Sequence, residues 1–417
     1  MSFLTDLTRM WFTRSFRPFV FTNRYDNELD YADCDRLGLY VHIPFCRSIC
    51  NFCPYCKEIY DPDKMDRYID SLLKEIHQVG SNIKGKKTVT SLYFGGGTPA
   101  LAADRIGEII DALSEHFEIT DGIGLELHPD NVKPEILLKL KDAGVTRISI
   151  GVQSFLDKYV GVLGRAKVDV DAMKKALSEI SFDTVSVDLI FALPYQNIED
   201  LKADIEMAFE TGANHVAVYP FIDFTFTSSP IKAMAKRKKR QLMDQMTDYF
   251  EKKGCYRSSV WTFSSSEEAK YSSMTRDNFL GFGCSATTLL PDQFKVNTFS
   301  VDEYCRRVNS DKLPTSLTID FKKRQRMVYY LFWTAYSTRV KIRAFEDFFG
   351  VPLKKMYGFE IFLAKLFGYI TETDGELILT SKGAFYFHYY ENYYTLSYID
   401  KMWGLMRKEA FPERMVL

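Results

Sequence analysis

The chain has 417 residues, 46% of them hydrophobic, which is enough for two or three domains around a large core. Its 54 basic and 55 acidic residues leave a net charge of −1, which provides no global field for nucleic acid or an anionic membrane. The start, MSFLTDLTRMWFTRSF, lacks the features of a signal peptide, and no run approaches the roughly 20 apolar residues of a membrane helix. We therefore expect a cytoplasmic protein that binds neither nucleic acid nor membrane.

Residues 1–37 are polar and aromatic without a clear period, which predicts an N-terminal extension that packs on the main domain or caps it. From residue 38 to residue 220, short apolar segments alternate with amphipathic ones. The predicted strands are Leu39–Ile43, Thr88–Phe94, Gly122–Leu127, Thr146–Val152, Thr184–Phe191 and His215–Pro220. The predicted helices are Asp63–Val79, Ala103–Phe117, Lys133–Ala143, Val170–Ile180 and Ile198–Thr211. These units predict an α/β fold in which a parallel sheet curls into a partial (β/α)6 barrel.

Residues 221–320 have a less regular pattern, which we interpret as an extension of the barrel. They contain a charged helix predicted at Ile231–Lys253 and a glycine-rich turn in NFLGFGCSATTLL. From Phe321 the pattern becomes mainly helical and ends in a predicted hairpin at YITETDGELILT. Residues 321–417 are therefore predicted to form a separate, mainly helical and winged-helix-like domain.

The eight cysteines are unevenly spread along the chain. Cys46, Cys50 and Cys53 lie in CRSICNFC directly after the first predicted strand, and Cys56 follows. In a reducing compartment, clustered cysteines favour metal binding over disulfides. Three thiolates can bind three irons of a 4Fe–4S cluster and leave the fourth iron open. The alternative on spacing alone is a zinc site that uses Cys56 as the fourth ligand.

Unusual residues also end the later strands, where a barrel of this kind carries its chemistry. Three glycines, Gly95–Gly97, end the second strand, where bare backbone can approach a ligand closely. Glu126 ends the third strand, and Asp188 interrupts the apolar fifth strand. A carboxylate in an apolar strand is costly unless it is satisfied. The plainer alternatives are a tight turn that needs glycine and a carboxylate that faces solvent.

The spacing CxxxCxxC after a strand resembles the radical S-adenosylmethionine (SAM) signature. The longer string YVHIPFCRSICNFC resembles a narrower group, the oxygen-independent coproporphyrinogen III oxidase-like family. Further matches follow in chain order over about residues 38–290, and residues 321–417 resemble that family's C-terminal domain more loosely. The further matching strings are SLYFGGGTPA, LELHPDNV, RISIGVQSF, LGRAK, VDLIFALPYQ, HVAVYP and NFLGFGCSA.

The resemblance implies a radical SAM core barrel at residues 38–220, with a 4Fe–4S cluster on Cys46, Cys50 and Cys53. It also implies one SAM molecule, possibly two, cleaved at the open iron to a 5′-deoxyadenosyl radical. Cys56 is expected not to bind the cluster. The residues implied to contact SAM are Tyr40, Phe52, Gly96, Gly97, Thr98, Glu126, Gln153, Arg165, Asp188, Ile222 and Thr287. Without the resemblance, Tyr40 and Phe52 would be core aromatics and Arg165 a solvated loop residue.

The implied function is that of a radical SAM oxidoreductase acting on a tetrapyrrole (a porphyrinogen or haem) or a similar conjugated substrate. A flavodoxin or ferredoxin-type protein would supply electrons. The alternatives are a haem-binding chaperone that keeps a cluster and a radical SAM methyltransferase with another substrate. Related haem chaperones carry HNxxYW before the glycine-rich turn, where this chain has YSSMTRDNFLGFG, so we expect an enzyme. The exact reaction and the oligomeric state are left open.

Two other features have ordinary explanations. The aromatic segment FYFHYYENYYTLSY could stack a tetrapyrrole, but core packing is the preferred interpretation, with His388 a hydrogen-bonded histidine rather than a haem ligand. Cys284, in the glycine-rich turn, is interpreted as a small buried residue although it is a candidate reactive thiol.

Overall fold

A computed structural model describes residues 3–227, 229, 232–267, 269 and 277–417. Its strands are β1 (Val20–Thr22), β2 (Leu37–Ile43), β3 (Phe45–Cys46), β4 (Glu58–Ile59), β5 (Lys87–Val89), β6 (Leu92–Gly96), β7 (Phe117–Ile119), β8 (Ile123–Leu127), β9 (Arg147–Gln153), β10 (Thr184–Phe191), β11 (His215–Pro220), β12 (Tyr256–Arg257), β13 (Thr262–Ser264), β14 (Asn278–Phe282), β15 (Thr287–Leu289), β16 (Gln293–Asn297), β17 (Thr315–Asp320), β18 (Arg339–Lys341), β19 (Ile370–Thr373), β20 (Glu376–Leu379) and β21 (Arg414–Val416). Its α-helices are α1 (Phe3–Thr13), α2 (Pro62–Gly80), α3 (Ile106–His116), α4 (Pro134–Asp142), α5 (Asp157–Leu163), α6 (Val170–Glu179), α7 (Ile198–Glu210), α8 (Lys236–Lys252), α9 (Val301–Asn309), α10 (Lys323–Tyr336), α11 (Ile342–Phe349), α12 (Leu353–Leu366), α13 (Ser381–Tyr394) and α14 (Asp400–Met406). Among these described helices, none is both long and apolar enough to cross a membrane.

The main sheet contains the predicted parallel strands as neighbours. Its order is β12-β13-β11-β10-β9-β8-β6-β2-β14-β15-β16-β17-β1-β21. The six strands β2, β6, β8, β9, β10 and β11 pair in parallel. Along β10 every residue is buried except Asp188, as expected for a strand that is covered on both faces. The α/β prediction is therefore confirmed.

Local chemistry explains why α2 begins and packs where it does. The Asp61 carboxylate accepts a hydrogen bond of 2.7 Å from the Lys64 N–H, and Pro62 occupies the first turn, where its missing N–H costs nothing. The buried side chains then recur every three or four residues along one face. They are Met65, Ile69, Leu72, Ile76 and Val79. This face belongs to the main core cluster, which also contains buried residues of the sheet.

The segment predicted as one strand, Thr88–Phe94, forms two strands, and this part of the prediction is wrong. The first, β5, pairs with β7, whereas β6 pairs with β2 and β8 in the main sheet. Between them, the Thr90 N–H and hydroxyl both donate to the Leu37 carbonyl, at 2.7 Å and 3.1 Å. These two hydrogen bonds to the start of β2 separate β5 from β6. Apolar periodicity alone could not predict them.

The region after residue 220 contributes strands to the same sheet. The glycine-rich segment forms β14, which pairs in parallel with β2, and β15, β16 and β17 continue antiparallel from it. Helix α8 begins at Lys236 rather than at residue 231, because Ala235 has an extended ψ of 138°. Ile231 and the first six residues of YSSMTRDNFLGFG, at 271–276, lie outside the described residues.

Both ends of the chain pack at the far edge of the main sheet. There β1 lies between β17 and β21. Tyr31 is fully buried, and its hydroxyl donates to the Val79 carbonyl of α2 at 2.9 Å. The N-terminal extension therefore packs on the main domain.

The C-terminal region has a small sheet and a core of its own. Its sheet has the order β18-β20-β19, and β19 and β20 form the predicted hairpin. A separate hydrophobic cluster joins α10, α11, α12 and this sheet. Its buried members are Met327, Tyr330, Val340, Phe345, Phe349, Leu353, Tyr357 and Leu377. Helices around a small hairpin sheet agree with the predicted winged-helix-like architecture.

Candidate cofactor site

The cysteine loop, residues 46–57, leaves the main sheet at the C-terminal end of β2. The short strands β3 and β4 pair at the two ends of the loop and close it. Cys46, Cys50 and Cys53, here called the open trio, are partly exposed and form no disulfide. The Cys53 N–H donates to the Cys50 carbonyl at 3.4 Å, which keeps the middle of the loop compact. The loop therefore presents three free thiols at the edge where the parallel strands end.

Hydrogen-bond donors face two of these thiols. Arg165 Nε lies 3.2 Å from Cys50 Sγ, and Thr98 Oγ1 lies 3.7 Å from Cys46 Sγ. Burial raises the pKa of the Cys46 thiol to about 11, and the Thr98 hydroxyl offsets part of that rise. Since a metal binds thiolates rather than thiols, a cation is needed to deprotonate Cys46 at neutral pH. The donors and the free thiols together fit a bound iron–sulfur cluster.

The spacing of the thiols distinguishes a site for an iron–sulfur cluster from a site for a single zinc ion. In the described part of the chain, two groups of three potential ligands have all their ligand atoms within 4.8 Å of one another: His42, Cys56 and Cys284, and an exposed group of His77, Glu115 and His116. The open trio forms no such tight group. A cubane binds each thiolate at a different iron, so its ligands stand further apart than ligands that share one ion. The spacing therefore fits a cluster better than a single zinc ion.

Cys56 lies apart from the open trio. Its side chain is 8% exposed, and its thiol donates to the Phe299 carbonyl at 3.1 Å. Its nearest potential metal ligands are His42 and Cys284. This position supports the expectation that Cys56 is not a cluster ligand.

The three glycines after β6 allow the chain to pass close to the cysteine loop. A Cβ on Gly97 would lie 2.6 Å from the Phe45 carbonyl oxygen, and Gly96 has a φ of +123° that side chains rarely adopt. A Cβ on Gly95 would lie 3.1 Å from the Tyr40 ring and 3.2 Å from the Glu126 carboxylate. Glycine is therefore required here by close packing as well as by turn geometry.

Glu126 faces the glycine turn rather than solvent. Its carboxylate accepts hydrogen bonds from the Tyr93 hydroxyl at 2.9 Å and from the Gly96 N–H at 3.1 Å. Burial raises the pKa of Glu126, and these two donors oppose the rise. Tyr93 is not among the residues predicted from the sequence. Its alternation with buried Leu92 and Phe94 in β6 is the signal that could have placed it on this face.

Asp188 lies in the fifth parallel strand beside Ser149, whose hydroxyl donates to it at 2.9 Å. A second hydroxyl, that of Ser186, lies 3.5 Å away. Burial and then the nearby Glu126 carboxylate raise the pKa of Asp188 to about 7. At neutral pH the group is therefore poised between carboxyl and carboxylate. A ligand that hydrogen-bonds to the carboxylate would favour the charged form.

Two further predicted residues, Gln153 and Arg165, lie beside Asp188. The pairing register of β9 and β10 shifts next to Asp188, and Gln153 at the end of β9 has a φ of +75°. Such a φ in a residue other than glycine is uncommon and clusters at functional positions. Arg165 donates to the Gly151 carbonyl, and its guanidinium lies 5.6 Å from the centre of the Phe52 ring. Arg165 thus connects the cysteine loop to the ends of β9 and β10.

The remaining predicted residues lie at the same edge of the sheet. Tyr40 stacks on Tyr93 with ring centres 6.3 Å apart. Ile222 is partly buried just after β11, and Thr287 is partly buried at the start of β15. The backbone of Thr287 packs against Gly281, where a Cβ would meet the Thr287 carbonyl at 2.1 Å.

The C-terminal helix α14 covers the cysteine loop, which the sequence analysis did not anticipate. The Trp403 ring lies 5.8 Å from the half-exposed Tyr55 ring of the loop and stacks on Phe224 with centres 6.3 Å apart. Arg407 donates to the Pro54 carbonyl and lies over the Phe226 ring at 4.3 Å. Tyr55, Phe224 and Trp403, here called the aromatic wall, therefore border the loop, and Trp403 and Arg407 come from a segment some 350 residues away in the chain.

His388 packs in the core, as the preferred interpretation held. It is 3% exposed, and its ring meets Trp261 edge-on at 4.4 Å. Within the described residues, its Nδ1 has no hydrogen-bond partner, so the expected hydrogen bond at that atom is not made.

Comparisons with known proteins agree with this geometry. The family model for the radical SAM superfamily matches residues 40–208. The haem chaperone HemW of Lactococcus lactis subsp. lactis (strain IL1403) is 28% identical over 338 residues, covering 77% of this chain and 87% of that protein. Anaerobilin synthase of Escherichia coli O157:H7 is 28% identical over 298 residues, covering 67% of this chain and 66% of that protein.

A solved structure shows the same fold over most of the chain. Coproporphyrinogen III oxidase (HemN) from Escherichia coli superposes with a TM-score of 0.75 at 22% identity, covering 88% of this chain and 93% of that one. Residues 40–208 therefore form a radical SAM domain, and the chain is similar over most of its length to proteins named HemW and coproporphyrinogen III oxidase (HemN). The cofactors that follow from this domain are a 4Fe–4S cluster and SAM.

Proposed function

We propose that this chain is a radical SAM enzyme that binds its cluster on Cys46, Cys50 and Cys53 and acts on a tetrapyrrole. The observation that supports it most is the meeting of three free thiols with two partly buried carboxylates, Glu126 and Asp188, at one edge of a parallel sheet. Arg165 links the two groups, because it contacts Cys50 and the end of β9. Carboxylates whose pKa values are raised by their surroundings are concentrated at functional sites.

In this proposal, the residues around the glycine turn bind SAM. Bare backbone at Gly96 and Gly97 lets the ligand approach closely, and Glu126 accepts a hydrogen bond from its ammonium group. Asp188 accepts hydrogen bonds from the ribose hydroxyls, and Phe52 and Arg165 pack against the nucleoside. When bound and reduced, the cluster supplies the electron that cleaves SAM into methionine and a 5′-deoxyadenosyl radical.

The aromatic wall supports a flat substrate. Tyr55, Phe224 and Trp403 line the border of the cysteine loop, and aromatic faces of this kind stack well on a conjugated ring. The relatives point to the same class of ligand, since their names refer to haem, anaerobilin and coproporphyrinogen. Helix α14 would also limit the access of water to the substrate, which a radical reaction requires.

The electron donor is proposed to be a flavodoxin or ferredoxin-type protein. Three cations at the start of α8, Lys236, Arg237 and Lys238, are exposed and offer a basic surface to such an acidic partner.

A second candidate function is a haem chaperone, and one observation favours it. Two relatives that are similar over most of this chain are named haem chaperones, and the Bacillus subtilis (strain 168) protein is covered over 95% of its length. This weighs against the expectation based on the missing HNxxYW motif. A chaperone would bind haem stoichiometrically and release it unchanged.

One experiment separates the two functions. Anaerobically reconstituted protein is reduced with dithionite and given SAM together with coproporphyrinogen III or haem, and nucleosides and tetrapyrroles are measured by mass spectrometry. We expect 5′-deoxyadenosine to rise several-fold with the true substrate and a modified tetrapyrrole to accumulate over many turnovers. The matched control is Cys50→Ala, which should form neither product. Haem recovered unmodified at one per chain, with no stimulated SAM cleavage, would overturn the enzyme and support the chaperone.

A further inference from the structure

A second group of potential metal ligands lies behind the cysteine loop, buried in the core. It consists of His42 on β2, Cys56 at the end of the loop, and Cys284 after β14, and we call it the closed trio. Its ligand atoms lie within 4.8 Å of one another, although Cys56 and Cys284 are 228 residues apart in the chain. The side chains are 3%, 8% and 0% exposed. Two thiols and an imidazole at this spacing form a donor set typical of zinc.

The imidazole of His42 is oriented as a metal ligand would be. Its Nδ1 accepts a hydrogen bond of 3.0 Å from the Tyr40 hydroxyl. Its Nε2 faces Cys56 and donates to the Cys56 carbonyl at 3.1 Å. A metal-binding histidine commonly uses its second nitrogen in a hydrogen bond of this kind, which fixes both the ring and the tautomer. To bind a cation, the ring would move its proton from Nε2 to Nδ1, which would then donate to the Tyr40 hydroxyl. The Nε2 lone pair would then face the ion in place of the Cys56 carbonyl.

A neighbouring hydroxyl supplies a fourth donor. Ser285 Oγ lies 3.2 Å from His42 Nε2. Ser285 has a φ of +57°, a left-handed conformation that a residue other than glycine rarely adopts. Strained backbone persists where the surroundings impose it and is concentrated at binding sites. The strained backbone at Ser285 therefore supports a binding site here, as does the spacing of the ligand atoms.

The backbone that carries the closed trio is held by residues of α2. The Tyr68 hydroxyl donates to the His42 carbonyl at 2.6 Å and accepts from the Cys284 N–H at 3.0 Å. The Glu75 carboxylate accepts from the Gly283 N–H at 2.8 Å. Two strands and one helix thus fix the positions of two of the ligands, as a structural metal centre requires.

We propose that His42, Cys56 and Cys284 bind one Zn²⁺ ion, with the Ser285 hydroxyl beside the fourth position. On binding, the ion replaces the two thiol protons, including the one that Cys56 otherwise donates to the Phe299 carbonyl, and two protons leave for solvent. The two thiolates neutralise the charge of the ion, which makes its burial acceptable. The ion would fasten the end of the cysteine loop to the β14–β15 turn. It would also keep Cys56 away from the open iron of the cluster.

The test measures zinc in full-length chains from which the other two groups of potential metal ligands have been removed. The background variant carries Cys46→Ala, Cys50→Ala and Cys53→Ala to remove the open trio, and His77→Ala with His116→Ala to remove the exposed group. After incubation with equimolar Zn²⁺ and gel filtration, we expect about one zinc per chain by mass spectrometry of the metal. Adding Cys284→Ala should lower this at least tenfold, whereas the control Cys255→Ala should leave it unchanged.

A second measurement does not depend on the folding of the Cys284 variant. Co²⁺ added to the background variant should give thiolate-to-cobalt charge-transfer absorption, and Zn²⁺ should abolish it. Less than a tenth of a zinc per chain without cobalt–thiolate absorption would overturn the proposal. So would a disulfide between Cys56 and Cys284 in anaerobically purified protein. The background lacks the cluster, so none of these outcomes depends on the proposed enzymatic function.

Discussion

The open trio and the closed trio meet in the cysteine loop, which carries all of the first and Cys56 of the second, yet they differ in spacing and burial. The open trio is partly exposed, its thiols do not all lie within 4.8 Å of one another, and Arg165 and Thr98 face it. The closed trio is buried, its ligand atoms lie within 4.8 Å, and core residues of α2 hold it. The comparison teaches that Cys53 and Cys56, although three residues apart, belong to different chemical sites. Spacing in the chain alone would have grouped them.

The largest expected effect is the loss of the iron–sulfur cluster when the open trio is mutated. Cys46→Ala, Cys50→Ala and Cys53→Ala should each lower the iron content of anaerobically purified protein from about four per chain to well below one, because a cubane with two thiolates is not retained. The measurement is iron and sulfide content with the visible spectrum. Cys56→Ala is the matched control and should keep the iron. Loss of iron in Cys56→Ala would contradict the separation of the two trios.

The next largest effect concerns SAM, which is proposed to contact both the cluster on the open trio and Asp188. Asp188→Asn should weaken SAM binding roughly 10- to 100-fold, since a hydrogen bond to a charged group contributes about 1.5–3 kcal/mol. The iron content should not change, because Asp188 lies on a different strand from the cysteines. Equilibrium dialysis with labelled SAM measures the affinity. Asp223→Asn, a partly buried residue after β11, is the control. Unchanged affinity in Asp188→Asn would remove this residue from the site.

A smaller effect follows from the raised pKa of Asp188, about 7 in the folded chain. Only the carboxylate can accept hydrogen bonds from both ribose hydroxyls, and it forms as the pH rises through the pKa. SAM affinity should therefore increase by about tenfold from pH 6 to pH 8. Asp188→Asn should lose the part of the pH dependence that the carboxylate causes. Titrations of both proteins at several pH values test this, and parallel pH profiles would contradict the assignment.

The smallest effect concerns the aromatic wall above the open trio. Trp403→Ala should weaken binding of haem or a porphyrin roughly 2- to 10-fold, since an aromatic contact contributes about 0.5–1.5 kcal/mol beyond area burial. Iron content should remain that of the unmodified protein. The affinity is measured from the Soret band. Trp11→Ala, on the exposed side of α1, is the control. An equal loss of affinity in both variants would mean that tetrapyrroles bind nonspecifically to exposed aromatic residues rather than at the aromatic wall.

Much of the site was predictable because its signals are local. The positions of α2 and β10 follow from capping chemistry and apolar periodicity, and β10 ends at the predicted residues. Gly96, Glu126 and Asp188 were unusual in their own strands, and parallel strands bring their C-terminal ends to one edge. The assignment of SAM contacts to these residues remains a prediction.

Other features depended on contacts between distant segments. The sequence by itself determined the α/β class, the cysteine motif and the residues that end the parallel strands, because periodicity and spacing act over a few residues. Only the tertiary structure decided that Thr88–Phe94 divides at Thr90, that β14 joins β2, and that Trp403 covers the cysteine loop. It also decided that Cys56 meets Cys284 rather than Cys53. Such pairings follow from which faces can be buried together, and that depends on the whole core rather than on any one segment.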